Sequence, residues 1–223
     1  MRRAASRERK EDPVRREYAR LAGRYDFRWS SYVEATIGET LKRLDPRPRD
    51  KILDVGCGTG ALLESLLRAF PEVALAGIDL SPEMLSVAGA RLGRSAELRQ
   101  GRAESLPFAD ATFDIVVSTS VLHYIRHPRA ALREMKRVLK PGGRAVVTDW
   151  CDDYVACRIC DLFLRLFHRA HFHTYGRAEC ERLMRDAGLE GVEIEAYKIN
   201  WLWGLMTATG KKPGLGSGLP DAS

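Results

Sequence analysis

Short apolar runs alternate with amphipathic segments through the middle of the chain, from residue 51 to residue 150. The apolar runs predict strands at residues 51–55, 73–79, 96–100, 113–118 and 144–150. Between them, apolar positions at helical spacing predict helices at residues 61–70, from residue 81 onward, and at 129–139. Strands that alternate with helices form a parallel sheet with crossover connections. The pattern therefore predicts an α/β fold with a doubly wound, mostly parallel sheet.

The pattern changes before this alternating unit. Residues 1–13 are charged and lack apolar periodicity, which predicts a disordered basic tail. Residues 14–45 return to helical spacing, with a second helix expected at residues 32–44. We therefore expect the folded domain to begin at residue 14 with a helical segment.

The pattern also changes after the fifth strand. One apolar stripe at helical spacing predicts a helix inserted at residues 151–175; its members are Val155, Ile159, Leu162, Phe163, Leu166, Phe167 and Ala170. A helix at 177–187 and strands at 192–199 and 201–208 follow, giving seven strands in all. Residues 210–223 are rich in Gly, Pro and Ser and predict a disordered tail, so the domain is expected to end at residue 209.

Composition narrows the class of protein. The 223 residues suffice for one domain, and the sequence contains neither an apolar run of about 18 residues that could span a membrane nor a secretory signal. An odd number of cysteines, five, favours free thiols in a reducing, cytoplasmic setting over a disulfide framework. The net charge of +6 and the arginine-rich start fit a solvated tail, nucleic acid, or peripheral contact with an anionic membrane.

The most informative motif is Leu-Asp-Val-Gly-Cys-Gly-Thr-Gly at residues 53–60, where the first strand turns into a helix. Glycines at such a turn let the backbone approach a ligand closely, and ligands of open parallel sheets bind beyond the carboxyl ends of the strands. Asp79 ends the next strand, about 20 residues further on, where an acid reaches ribose hydroxyls. Together these features predict a cofactor that contains adenosine.

Asp54 indicates which adenosine cofactor this is. The glycines at 56, 58 and 60 also satisfy the pattern of dinucleotide-binding proteins. However, a carboxylate two residues before the first glycine would repel a pyrophosphate. The same carboxylate suits the ammonium and sulfonium groups of S-adenosylmethionine. The sequence therefore favours S-adenosylmethionine over NAD.

Residues 54–60 and 77–85, the latter Gly-Ile-Asp-Leu-Ser-Pro-Glu-Met-Leu, resemble class I S-adenosylmethionine-dependent methyltransferases. Residues 101–108, 113–114 and 137–143 are similar to the branch that contains the ubiquinone and menaquinone biosynthesis C-methyltransferases. Residues 18–26 resemble the N-terminal lid of that branch. The resemblance covers roughly residues 18–150 and implies a Rossmann-like sheet and a lid at 14–45. The helix inserted after the fifth strand, at 151–175, is expected to act as a substrate cap.

The resemblance also implies roles for single residues. Gly56, Gly58 and Gly60 would shape the methionine pocket, with Cys57 inside the loop. The remaining donor-binding candidates are Tyr25, Asp54, Asp79, Leu80, Met84, Ala103, Glu104 and Ser118. Arg102 departs from the family, which commonly has aspartate there to accept from the adenine amino group, whereas arginine only donates. Either Glu104 takes over that role or Arg102 points to solvent.

Two further groups have more than one interpretation. His123 follows the fourth strand and is our candidate general base, although it could equally bond the backbone near the cofactor. Cys157 and Cys160 form a C-x-x-C near three histidines, but their position within an amphipathic helix favours plain thiols over a metal site. We therefore predict no bound metal.

The function that these observations favour is methyl transfer from S-adenosylmethionine to a small or lipid-like acceptor with an apolar part. The alternatives are a nucleic-acid (RNA) methyltransferase, an NAD-dependent oxidoreductase, and a non-catalytic protein that binds an adenosyl ligand. The residues after the fourth strand, Ser-Thr-Ser-Val at 118–121, resemble neither the adenine- nor the cytosine-methylating loops, so nucleic acid is disfavoured.

Overall fold

A seven-stranded sheet forms the centre of the protein in the computed structural model. The structure describes Val14 and residues 25–155, 157–159, 161–162, 172–200 and 203–214. The strands are β1 (Lys51–Val55), β2 (Ala74–Asp79), β3 (Ala96–Gln100), β4 (Phe113–Thr119), β5 (Leu139–Trp150), β6 (Glu190–Lys198) and β7 (Gly204–Lys211). Their order is β3-β2-β1-β4-β5-β7-β6; the first five are parallel, and β7 is antiparallel to both neighbours. The predicted doubly wound, mostly parallel sheet is confirmed.

Helices cover both faces of this sheet. They are α1 (Tyr25–Leu41), α2 (Ala61–Ala69), α3 (Pro82–Leu92), α4 (Pro128–Val138) and α5 (Arg177–Asp186), with a 3-10 turn at Leu122–Tyr124. Neighbouring residues of β1 point to opposite faces of the sheet and so belong to different layers. Ile52 belongs to the buried cluster that contains side chains of α2 and α3, whereas Leu53 belongs to the cluster that contains side chains of α4 and α5. Ser81 caps α3 as its sequence predicts, accepting a hydrogen bond from the Met84 N–H at 3.2 Å.

The C-terminal half of α1 is held to the sheet by buried hydroxyl groups. Thr40 Oγ1 donates to Thr148 Oγ1 at 3.0 Å, and Thr148 Oγ1 lies 2.9 Å from Thr207 Oγ1. The Tyr197 hydroxyl continues the chain to Thr207 at 2.6 Å. These bonds join α1 to β5, β7 and β6, and so fix the helix that covers one end of the sheet.

The end of the sheet differs from the prediction. β7 lies at 204–211 rather than 201–208, so the predicted tail boundary at residue 210 falls inside a strand. The reason is pairing with β5, which places Lys211 opposite Arg144. Beyond it, Lys212 Nζ donates to the carbonyls of Arg137 and Leu139 at 3.1 and 2.7 Å, and therefore caps the end of α4.

The described part of the helical insertion after β5 exposes three members of its apolar stripe. Val155, Ile159 and Leu162 are 71%, 65% and 63% exposed, so these three members of the apolar stripe face outward. Cys157 points inward instead, and its thiol lies 3.4 Å from the Gly204 carbonyl and N–H. The other four members of the stripe, Cys160 and residues 15–24 lie outside the described residues. Among the residues that are described, no helix has the length and apolar character needed to cross a membrane.

Candidate active site

A cavity of about 740 Å³ opens at the carboxyl ends of the parallel strands. This is where the strand order reverses between β1 and β4, the position expected for a ligand site in a doubly wound sheet. Its walls come from Tyr32, Val33, Thr36 and Ile37 of α1 and from segments at 54–59, 61–62, 78–81, 101–104, 119–121 and 124–127, together with Val14, Met84 and Phe172. The glycine motif, the two acids and the N-terminal helix thus meet around one space.

The glycine loop folds tightly over the end of β2. The N–H groups of Gly56 and Cys57 both donate to the Ile78 carbonyl, at 2.8 and 3.0 Å. Gly56 has a φ of +79°, and a side chain there would run into Val121. Gly60, also at +79°, starts α2 and leaves no room for a side chain because Leu92 and Ala88 of α3 pack against it. Gly56 therefore shapes the cavity, whereas Gly60 joins two helices and does not line it.

Asp79 closes the opposite side of the loop. One carboxylate oxygen accepts from the Gly58 N–H at 2.9 Å and the other from the Ser81 N–H at 2.8 Å. These bonds orient the carboxylate toward the cavity that it lines. Burial nevertheless raises the pKa of Asp79 above its ordinary value.

Asp54 is the second acid in the cavity. It is only 2% exposed, and burial, followed by the negative charge of Asp79, raises its pKa to about 8. Burial likewise raises the pKa of the Cys57 thiol, which is therefore a poor nucleophile at neutral pH. Two acids that share one cavity, one buried and one half-buried, favour a cationic ligand, because a positive charge there would stabilise both carboxylates.

The far side of the cavity contains the remaining predicted contacts. Leu80, Met84, Ala103 and Glu104 all line it. Arg102, whose side chain is 48% exposed, has its Nε 3.4 Å from Glu104 Oε2. The guanidinium thus pairs with Glu104, and both residues line this wall of the cavity.

Comparison with known proteins identifies the family. The family described as a methyltransferase domain matches residues 53–147. The demethylmenaquinone methyltransferase of Bacillus cytotoxicus is 30% identical over 217 residues, covering 84% of this chain and 92% of that protein. The chain belongs to the class I S-adenosylmethionine-dependent methyltransferases.

Two other similarities show how far this assignment reaches. The malonyl-[acyl-carrier protein] O-methyltransferase of Hahella chejuensis is 39% identical over 136 residues, but the methyltransferase described here spans only 48% of its length. The complex of the Haloferax volcanii Trm112 methyltransferase activator with a methyltransferase contains a chain of the same fold. That chain is 23% identical to this one with a TM-score of 0.78, and the match covers 88% of this chain and 98% of the other.

Three of the residues predicted for the methyltransferase site do not line the cavity: Gly60, described above, Ser118 and His123. Ser118 donates its hydroxyl to the Val55 carbonyl at 2.9 Å, so it ties β4 to β1 instead of facing a ligand. His123 is buried beside β5, where its Nδ1 lies 2.5 Å from Asp149 Oδ1 and its backbone N–H donates to Asp149 Oδ2 at 3.1 Å. The side chain of Tyr25 falls outside the described residues.

Sequence reasoning missed Tyr32, Ser120, Asp149 and Trp150. Tyr32 and Ser120 line the cavity, and their hydroxyl oxygens are 2.7 Å apart. Trp150 Nε1 donates to the Tyr32 hydroxyl at 2.7 Å. The available signal was position, because Asp149 and Trp150 end the fifth strand at the same edge of the sheet as the glycine loop.

Proposed function

We propose that this methyltransferase binds S-adenosylmethionine in the 740 Å³ cavity and transfers its methyl group to a small acceptor with an apolar part. The observation that carries the proposal is the pair of acids on either side of the glycine loop, buried Asp54 and half-buried Asp79. Burial keeps Asp54 protonated when the ligand is neutral or anionic, whereas an ammonium and a sulfonium would stabilise the ionised form of both acids. NAD, which carries a pyrophosphate, does not match this charge.

Each predicted donor contact has a role in this proposal. S-adenosylmethionine supplies an electrophilic methyl group on a sulfonium. Asp54 faces the ammonium end, directly or through water, and Asp79 accepts from the ribose hydroxyls with the lone pairs that its backbone bonds leave. The adenine packs between Leu80, Met84 and Ala103.

The acceptor side of the cavity is apolar. Val33 and Ile37 of α1, with Val121, Ile125 and Phe172, line the cavity outside the glycine loop. Such a wall suits a molecule with a hydrophobic ring or chain. The name of the Bacillus cytotoxicus relative, a demethylmenaquinone methyltransferase, supports an acceptor of this kind. Contact with a membrane surface and action in the cytoplasm are part of the same proposal.

Catalysis in this proposal rests on positioning and exclusion of water. A methyl group already bound to sulfonium needs only an aligned nucleophile, and holding two reactants in place lowers the barrier substantially. Residues 14–45 act as the lid and residues 151–175 as the acceptor cap. A general base role for His123 gains no support from its buried position beside Asp149.

Calorimetry tests the donor. S-adenosylhomocysteine should bind the purified protein, and NAD should not. Asp79→Ala should weaken S-adenosylhomocysteine binding by roughly 1.5–3 kcal/mol, the scale of hydrogen bonds to a charged group. Asp110→Ala is the matched control, since it removes an exposed carboxylate that pairs with Arg137 outside the cavity. Unchanged affinity in Asp79→Ala, or tight NAD binding, would contradict the proposal.

Transfer itself is tested with labelled S-adenosylmethionine. Demethylmenaquinol is the first acceptor to assay, followed by a panel of apolar phenols and fatty acids. Label should appear in an apolar product. Label transfer to RNA but to none of these small molecules would favour the nucleic-acid alternative.

A further inference from the structure

A chain of three polar groups runs along the acceptor side of the cavity. The Trp150 indole donates to the Tyr32 hydroxyl, and that hydroxyl is bonded to the Ser120 hydroxyl. Trp150 is itself held in place, because its ring stacks on His123 with centroids 4.7 Å apart and planes at 17°. The pair of Asp149 and His123 therefore supports the indole, and the indole orients Tyr32.

The number of hydrogens in this chain has a chemical consequence. An indole N–H can only donate, so the Tyr32 oxygen accepts from Trp150. The three groups carry three polar hydrogens, but the two bonds between them use only two. The hydrogen bond from Trp150 favours the direction in which Tyr32 donates to Ser120, because hydrogen bonds in a chain polarise one another. The hydrogen of the Ser120 hydroxyl can then be donated to a further acceptor. Ser120 lines the cavity, so a bound ligand can receive it.

The backbone conformation at Ser120 supports the same conclusion. Its φ is +57°, in the left-handed region that is strained for a residue with a side chain. Its N–H donates to the Thr148 carbonyl at 2.8 Å, which fixes this conformation. Glycine would adopt it without strain, so a serine at this point of the cavity wall places a hydroxyl where the fold alone would favour none.

We propose that the Ser120 hydroxyl, oriented by the Tyr32 hydroxyl, forms a subsite that binds an oxygen atom of the acceptor. The acceptor class is thereby narrowed to apolar molecules that carry a hydrogen-bond-accepting oxygen of the carbonyl or phenolate type. The apolar side chains of Val33, Ile37 and Val121 lie in the walls of the same cavity and surround the rest of such a molecule. This inference rests on the proposed function, since it assigns the acceptor side of the same cavity.

Two probes that differ in one oxygen test the subsite. Calorimetry compares 2-acetylnaphthalene with 2-ethylnaphthalene on the full chain saturated with S-adenosylhomocysteine. Wild-type protein should bind the ketone about tenfold more tightly, the size of one hydrogen bond. Tyr32→Phe and Ser120→Gly should reduce this preference to about twofold or less. Tyr197→Phe is the matched control, because it removes a tyrosine hydroxyl bonded to Thr207 outside the cavity, and it should keep the full preference.

Ser120→Gly separates the subsite from a structural role. Glycine relieves the strain at a φ of +57°, so the melting temperature should stay the same or rise while the preference for the ketone is lost. Retention of the preference in Ser120→Gly would overturn the inference, as would equal binding or no binding of the two probes to wild-type protein. Failure of S-adenosylhomocysteine to bind at all would instead contradict the proposed function itself.

Discussion

Replacing Asp54 with asparagine should change how the stability of the ligand-free protein depends on pH. Burial at the end of β1, with the nearby charge of Asp79, raises the pKa of Asp54 from 3.8 to about 8. In the unfolded chain the same carboxyl ionises near its ordinary value. Between these two values the unfolded state has lost the proton and the folded state retains it. The free energy of unfolding of the wild type therefore falls as the pH rises through this window, and levels off above about pH 8.

The size of this effect follows from the difference in pKa. Each pH unit inside the window is worth about 1.4 kcal/mol, so Asp54 alone should cost about 4 kcal/mol between about pH 5 and pH 8. Asparagine has a similar size and does not titrate. The stability difference between Asp54→Asn and wild type should thus grow by about that amount over the same range. Any constant offset that the amide introduces cancels in this comparison.

Urea unfolding at several pH values measures the difference directly. An Asp79→Asn background tests the cause of the shift, because the pH dependence should become weaker there but should not disappear when burial alone raises the pKa of Asp54. Saturation with S-adenosylhomocysteine should stabilise the wild type more at pH 8 than at pH 6, since its ammonium pairs with ionised Asp54. A stability difference that stays constant within about 0.5 kcal/mol from pH 5 to pH 8 would refute the reasoning.

Three further substitutions test other parts of the site. Gly56→Ala should lower the free energy of unfolding by about 1–3 kcal/mol more than Gly58→Ala does, because both glycines have a positive φ but only a side chain at Gly56 would collide with Val121. Equal losses of stability in the two variants would contradict this. Thr148→Val should lower the free energy of unfolding by about 1–3 kcal/mol, because it removes the hydrogen bonds to Thr40 and Thr207. A double-mutant cycle with Thr207→Val should show strong coupling, and simple additivity of the two losses would argue against the hydroxyl chain. His123→Gln should lower stability by about 1–3 kcal/mol but leave the shape of the kcat–pH profile unchanged, because the ring lies against Asp149 away from the cavity and reaches the acceptor side only through Trp150. Loss of a titrating group from that profile would restore the general-base role.

The parts of the fold that depend on local pattern were predictable. β1 and β2 could be predicted from apolar runs in the sequence, because helices cover both faces of a parallel strand and nearly every side chain in it is buried. The glycine motif and Asp79 could be assigned to one edge because carboxyl ends of parallel strands coincide. β7 was misplaced because Gly210 and Lys211 have a tail-like composition, and only pairing with β5 makes them a strand.

The acceptor side could not be predicted in the same way. Tyr32 and Trp150 are far apart in sequence, and nothing in either local pattern indicates a hydrogen bond between them. Ser118 lies in β4 and Ser120 directly follows that strand. Alternation alone would place both side chains on one face, yet Ser118 bonds to β1 and Ser120 lines the cavity, because the backbone turns at Ser120. The outward face of Val155, Ile159 and Leu162 shows that a stripe alone does not reveal which side of a helix is buried.

The position of β7 has a consequence for synthesis of the chain. β7 is the last strand in sequence, but it lies between β5 and β6, pairing with both. While the ribosome is still translating residues before Gly204, β5 and β6 therefore have no common partner, and the β5 edge remains open. The strands that carry the glycine loop and Asp79 can meanwhile pair with one another. A nascent chain arrested before β7 should thus expose the β5 edge to chaperones or to other chains after its donor half has already assembled.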